Sequence, residues 1–63
     1  MRVRYDPEVD ALYVRLSETP VIESEEVAPG IILDFNQEDR LVGIEILNAS
    51  KNVASDPILA AAE

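Results

Sequence analysis

The sequence predicts a mainly β domain of the α+β class, built as a four- to five-stranded antiparallel meander sheet with a short C-terminal helix. Three observations predict it: apolar and polar residues alternate with the period of a strand, turn-forming residues separate these segments, and the chain ends in an alanine-rich stretch that favours helix. At 63 residues the chain is a single domain. We expect residues 1–53 to form the sheet domain and residues 54–63 to form a tail or the short helix.

The first hairpin is predicted by the alternation at residues 2–5 and 11–16, which places the apolar side chains of each segment on one face. Between these segments Asp6 and Pro7 favour a turn. Proline fixes φ and has no N–H for a β-ladder, and the aspartate carboxylate accepts backbone hydrogen bonds within turns. The five-residue connection predicts an antiparallel pair.

A polar strand is predicted at residues 21–27, between a break at Pro20 and the turn signal Ala-Pro-Gly at residues 28–30. The strand contains Glu23, Glu25 and Glu26. Charged side chains suit an exposed edge of a sheet because they discourage unwanted pairing with other strands.

The second hairpin is predicted at residues 31–35 and 41–47, around a polar loop at residues 36–40. Gly43 lies on the opposite side from the apolar residues of its strand, where the absence of a side chain permits close approach of another backbone or a large ring. The apolar faces of the predicted strands form the candidate core: Val3, Tyr5, Leu12, Val14, Leu16, Ile31, Leu33, Phe35, Val42, Ile44 and Ile46.

The C-terminal segment predicts helix at two places. Asn48 or Ser50 is suited to cap one turn, and the start signal at residues 55–57 precedes a helix over residues 57–63. One short helix is too small to cover the candidate core, and the sequence has no cysteine for disulfides and no histidine for a metal. The sequence therefore predicts a homodimer or a larger oligomer.

The charge is strongly negative, with thirteen acidic and five basic side chains and a net charge of −8. This charge repels nucleic-acid phosphates, so we expect no nucleic-acid binding. No apolar run is long enough for a membrane span and no signal peptide is present, so we expect a cytoplasmic protein without membrane contact. Residues 17–39 contain acidic side chains and no basic one. This run is either a solvated face or an edge that binds a basic protein, through Glu23, Glu25 and Glu26.

Catalytic chemistry is not predicted by the residues available. The sequence has no histidine and no cysteine, so its serines have no histidine to activate them, and turn and cap positions account for them better. Asp6, Glu8 and Asp10 are spaced like the opening of a calcium loop, but Ser17 stands where the bidentate glutamate would close it. We expect no enzymatic activity, no cofactor and no metal site.

Three segments taken in order resemble one known family. RYDPEVDALYVRL at residues 4–16, ESEEVAPGIILDF at residues 23–35 and LVGIEILNASK at residues 41–51 are similar to the bacterial and archaeal family named domain of unknown function 2283. The resemblance implies a small stand-alone protein with no catalytic residues to carry over, and some members are thought to be antitoxins beside a small toxin. The chain departs from the family pattern at Asn48, where an acidic residue is common, and in the loop at residues 36–40, which lacks the usual glycine.

The sequence leaves three functions open. The first is a small non-enzymatic protein-binding or oligomerising domain, which includes an antitoxin-like neutraliser of a basic partner. The second is a homo-oligomeric structural or regulatory protein with no other partner. The third is a carboxylate–metal site or a small enzyme, for which the sequence offers the fewest suitable residues.

Overall fold

The computed structural model describes residues 1–54 as one five-stranded antiparallel sheet followed by a helix of a single turn. The strands are β1 Arg2–Asp6, β2 Ala11–Arg15, β3 Glu23–Ala28, β4 Ile31–Phe35 and β5 Leu41–Leu47, and the helix α1 is Ala49–Asn52. The predicted antiparallel sheet with a short C-terminal helix is confirmed. The helix predicted over residues 57–63 lies outside the described residues. The described chain offers no helix with the length and apolar character needed to span a membrane.

The strand order is β1-β2-β5-β4-β3, which differs from the sequential order of a meander. Strand β5 is inserted between β2 and β4, and β3 is displaced to the edge. Composition explains the arrangement, because the central strand of a sheet has neighbours on both sides and suits the apolar β5, whereas the glutamate-rich β3 suits an edge. Past the end of β2, the N–H groups of Leu16 and Ser17 both donate to the carbonyl of Val42, at 2.7 and 3.2 Å.

The strand register gathers most of the predicted core on one side of the sheet. Directly paired residues share a face, and the pairs Val3–Val14, Val14–Ile44 and Leu33–Ile44 form one continuous apolar row. We call this side the apolar face, and the other side the polar face. The paired residues of the apolar face are Val3, Tyr5, Leu12, Val14, Ile31, Leu33, Ile44 and Ile46.

The buried core is smaller than the sequence predicts. Among the described residues, the buried apolar side chains are Leu12, Val42 and Ala49. Leu12 and Ala49 form one cluster, packed by Tyr5, Ile46 and Val53. Val42 is buried separately, where the β4–β5 register skips one residue.

Several predicted core residues are only partly buried in the single chain. Leu33 and Ile44 lie in the middle of the apolar face and are half-buried, while Val3 and Leu16 are 40% and 43% exposed. The reason is the size of α1, whose one turn packs on the Leu12 end of the face and leaves the remainder open.

Candidate binding surfaces

The first candidate surface is the acidic edge, which we define as Glu23, Glu25 and Glu26 of β3. The predicted polar edge strand is confirmed, since β3 is the last strand in the sheet and all six of its residues are exposed. The register divides the three glutamates between the two faces. Glu23 and Glu25 lie on the side of the apolar face, whereas Glu26 points to the polar face. A role of the acidic edge in binding stays a prediction.

Glu26 also has a structural contact within its own hairpin. Its Oε2 accepts a hydrogen bond of 3.0 Å from the N–H of Gly30, which has a φ of 79° in the turn between β3 and β4. Positive φ is readily adopted by glycine, so the predicted Ala-Pro-Gly turn is explained by Gly30. The acidic edge is therefore stabilised at its turn end and open along its outer side.

The second candidate surface is the arginine end, which we define as Arg2, Arg4 and Arg15. It lies on β1 and β2, at the opposite end of the sheet from β3. Arg2 is paired with Arg15 across the two strands, and Arg4 is paired with Tyr13, so all four side chains share the polar face. They line a surface depression of about 300 Å³. Sequence reasoning missed this surface, although the alternation of Arg2 and Arg4 with a hairpin partner at Arg15 was a usable signal.

The positive charge of the arginine end is only partly compensated. The Arg15 guanidinium donates to the backbone carbonyls of Ser17 and Thr19, at 2.7 and 2.9 Å, which are neutral acceptors. Arg2 forms an ion pair of 3.2 Å with Glu18, and both side chains are about 70% exposed. Exposed ion pairs of this kind contribute little stability, about 0–1 kcal/mol. Between residues 1 and 54 this is the only ion pair.

The centre of the polar face carries a hydrogen-bonded cluster that we call the Asp34 network. Tyr13 Oη donates to Asp34 Oδ2 at 3.1 Å, and Ser24 Oγ donates to Asp34 Oδ1 at 2.6 Å. Asp34 is 8% exposed, so these two hydroxyls replace much of its hydration. Burial and the bond to Asp34 raise the pKa of the Tyr13 phenol above its ordinary value.

Gly43 explains how the tyrosine ring reaches Asp34. A Cβ at this position would lie 2.5 Å from Tyr13 Oη and 2.9 Å from Tyr13 Cζ. The expectation that Gly43 permits close approach of a large ring is confirmed, and the ring is that of Tyr13. The network joins β2, β3 and β4 across β5.

A similar cluster, the Asp10 network, joins the first turn to the helix. Asp10 has a φ of 55°, and its Oδ1 accepts a bond of 2.7 Å from Tyr5 Oη. The Ser50 N–H donates to Oδ1 at 3.1 Å and the Ser50 hydroxyl to Oδ2 at 2.7 Å. The Ser50 hydroxyl, followed by that of Tyr5, lowers the pKa of the Asp10 carboxyl, and the bond to Asp10 raises the pKa of Tyr5.

The Asp10 network corrects the predicted helix cap. Asn48 occupies the N-cap position with a φ of 51°, but its side chain makes no capping bond, and Ser50 lies inside the helix. The cap comes instead from Asp10, whose carbonyl also accepts the Ala49 N–H at 2.9 Å. The sequence predicts only caps from residues next to the helix, and the Asp10 cap was missed because Asp10 lies 40 residues from Ser50.

The Asp10 and Asp34 carboxylates and their hydroxyl donors form structural pairs. Ser24 and Ser50 each donate to a carboxylate, and this sequence lacks histidine, the usual activating base of a serine nucleophile. Asp6 Oδ1 accepts a hydrogen bond of 3.0 Å from the N–H of Glu8, so the Asp6 side chain stabilises the turn between β1 and β2. In the part of the chain that the structure describes, no three acidic side chains converge as metal ligands would.

One comparison with known proteins gives a match. The family model described as "Protein of unknown function (DUF2283)" matches residues 2–50. No curated protein and no solved structure matches the chain. The match covers most of the 63 residues, and the chain belongs to this family.

Proposed function

We propose that this member of the DUF2283 family is a small non-enzymatic domain that binds protein surfaces with its sheet, and that the partner of its apolar face is a second copy of itself. The cytoplasm is the compartment we propose for it, because the sequence has no cysteine for the disulfides on which small secreted domains rely.

The observation that carries this proposal is the open part of the apolar face. Helix α1 packs on one end, and the row from Val3 through Val14 and Ile44 to Leu33 has no layer over it in the described chain. A sheet buries its apolar side against another layer of structure. A second copy supplies that layer by the same self-complementary patch.

The size of the face fits a dimer. The molecule measures 33 × 24 × 18 Å, so the outline of its broad side, including the end under α1, is comparable to the roughly 800 Å² per partner that stable interfaces bury. Val3, at 40% exposed, lies on an edge strand of this face, so a change there affects an interface more than the packing of one chain.

Sedimentation velocity of Val3→Glu in about 1 M salt tests the proposal, since the Debye length is then only about 3 Å and charge contacts are screened. We expect the parent to sediment as a dimer and Val3→Glu as a monomer, because the variant places a charge in an apolar interface. The control is Val9→Glu, which makes the same change at a 66% exposed valine in the β1–β2 turn. A parent that is a folded monomer, or a Val3→Glu variant that remains a dimer, overturns the proposal.

A second candidate function is the binding of a basic protein at the acidic edge, in the manner of an antitoxin. Its support is the outer side of β3, with which no strand of the described residues pairs. An added strand there gains backbone hydrogen bonds while the glutamates steer a basic partner. Reversal of Glu23, Glu25 and Glu26 to lysine should slow association and weaken its dependence on salt. Glu26→Ala is the matched control for loss of the bond to Gly30, because it removes the accepting oxygen. Unchanged kinetics in the triple variant would leave the glutamates as a solvated face.

A further inference from the structure

The two edges of the sheet carry opposite charges. Strand β1 forms one edge and β3 the other, and within residues 1–54 no strand pairs with the outer side of either. The arginine end lies on β1 and its neighbour β2, and the acidic edge lies on β3. The two strands have similar lengths, five and six residues.

The arginine end concentrates positive charge that its own chain offsets only in part, through the exposed ion pair of Arg2 with Glu18. Like charges directly opposite each other on neighbouring strands are destabilising, and Arg2 faces Arg15 in this position. Arg4 is exposed and lies next to both positions on the same face. The planar guanidinium groups are suited to bind carboxylates with two parallel hydrogen bonds.

The acidic edge has the complementary chemistry. Glu23 and Glu25 are exposed, and Glu26 accepts the N–H of Gly30, which carries no net charge. The acidic edge therefore presents Glu23 and Glu25 on the side of the apolar face, whereas the arginine end presents its guanidinium groups on the polar face. The two sets of charges meet when the second copy is turned over relative to the first, so that its apolar face continues the polar face of the first.

Charge selects one of the three ways in which two copies can join their edges. Two β3 edges repel each other because both carry glutamates, and two β1 edges repel because both carry arginines. We propose that the arginine end of one copy binds the acidic edge of a second copy, with β1 of the first lying beside β3 of the second. The contact rests on the acidic edge being a protein-binding surface, as in the second candidate function, and it names the arginine end of another copy as the basic surface that is bound.

This contact joins two different surfaces, so the first copy keeps a free β3 edge and the second keeps a free β1 edge. Contacts of this class form rings when the rotation between copies closes and open rows when it does not. The contact depends on salt, since its charges are exposed, whereas the apolar contact does not. At low ionic strength we therefore expect assemblies larger than those found at about 1 M salt.

Charge reversal on the full-length chain tests the contact. The arginine variant carries Arg2→Glu and Arg4→Glu, and the glutamate variant carries Glu23→Lys and Glu25→Lys. Glu26 is left unchanged because its carboxylate accepts the N–H of Gly30 in the turn between β3 and β4. Alone, each variant has two edges of like charge, and its edge association at low salt should weaken at least about tenfold. An equimolar mixture regains opposite charges at every edge, and its assemblies should return to the parent size.

Matched controls separate the contact from net charge. Glu8→Lys with Glu38→Lys changes the total charge as the glutamate variant does, at exposed turn positions. Arg40→Glu with Lys51→Glu does the same for the arginine variant. Both controls should sediment as the parent does at low salt, and thermal melting checks that every variant is folded.

Three results would overturn the proposal: parent-like assembly in either variant alone, a mixture that stays dissociated, or a parent whose size is independent of salt. If the glutamate variant loses binding to a basic protein while the arginine variant assembles normally, self-pairing is wrong and the acidic edge retains its other role. The apolar dimer is tested separately, by the sedimentation of Val3→Glu at high salt, so failure of the apolar dimer and failure of the edge contact are distinguishable.

Discussion

Asp10 and Asp34 hold this small sheet together with the same donors in different surroundings. Each carboxylate accepts one hydrogen bond from a tyrosine hydroxyl and one from a serine hydroxyl. Asp34 lies inside a strand and is buried, whereas Asp10 lies in a turn and is partly exposed. The Asp10 network also receives a backbone N–H, and the charge of Lys51 favours its ionised form.

The difference shows that identical side chains can serve two structural purposes. The Asp34 network acts across the sheet, because its members come from three strands and meet only when the register is correct. The Asp10 network acts at the end of the sheet, where it attaches a one-turn helix that is far too short to be stable alone. We expect the first to depend on burial and close packing, and the second on the helix and on pH.

The largest expected effect comes from the packing beneath the Asp10 network. Leu12→Ala removes a buried side chain that packs with Ala49, and should lower the free energy of unfolding by about 2–5 kcal/mol. Urea unfolding followed by circular dichroism measures it. Val9→Ala, at an exposed position of the adjacent turn, is the control and should change stability by no more than about 0.5 kcal/mol. Equal costs for the two variants would show that the helix does not rest on Leu12.

The second-largest expected effect comes from the close contact between Gly43 and the Tyr13 ring of the Asp34 network. Gly43→Ala forces a methyl group against the ring of Tyr13 and to 3.1 Å from the carbonyl of Val14, and should cost about 1–3 kcal/mol. In a Tyr13→Ala background most of this cost should disappear, because the ring contacts are gone. A double-mutant cycle of denaturation measures the coupling. An undiminished cost would assign the strain to the Val14 carbonyl instead.

Serine deletions compare the two networks directly. Ser24→Ala removes a donor from the buried Asp34 carboxylate and should cost about 1.5–3 kcal/mol. Ser50→Ala should cost about 0.5–1.5 kcal/mol, because Asp10 is accessible to water and keeps the Ser50 N–H. Chemical denaturation of both variants gives the difference. Equal costs would mean that water replaces the Ser24 hydroxyl and that burial of Asp34 is unimportant.

Acid should weaken the Asp10 network. The pKa of Asp10 lies below its ordinary value of 3.8 in the folded chain, so folding favours the ionised carboxylate. Its contribution to stability is complete above about pH 4 and is lost as pH falls through the folded pKa. Melting temperatures measured across this range should therefore fall less steeply for Asp10→Asn than for the parent. Parallel curves for the two proteins would contradict the role assigned to the Asp10 charge.

The smallest effect is expected in alkali. The pKa values of Tyr5 and Tyr13 both lie above the ordinary 10.0, so their contributions are fully present below pH 10 and are lost as pH rises through the folded values. The chain has two tyrosines and no tryptophan, so ultraviolet absorbance of tyrosinate reports both titrations without interference. The variants Tyr5→Phe and Tyr13→Phe each remove one titration, so each observed titration can be assigned to its tyrosine. A tyrosine that titrates at or below 10 would show that its bond to aspartate is absent in solution.

Most strands were predictable because alternation of apolar and polar residues is a local signal. The two hairpins, the edge strand and the need for glycine at position 43 all follow from such patterns, although the edge strand was predicted at residues 21–27 and lies at Glu23–Ala28. The acidic edge follows from the same patterns. The arginine end was missed because its members come from two strands. Pairing Arg2 with Arg15 requires the register of the hairpin, which the two alternating segments indicate only when they are considered together.

The sequence by itself determined the class of this protein, its strands and turns, and the acidic character of β3, because these depend on residues that are neighbours along the chain. Only the tertiary structure decided that β5 enters the centre of the sheet, that Asp10 caps a helix 40 residues away, and that Asp34 is buried under two hydroxyls. The physical reason is that strand order and long-range hydrogen bonds result from competition among all strands for partners and burial. The open apolar face follows from the same competition, since a one-turn helix covers only the end on which Leu12 lies.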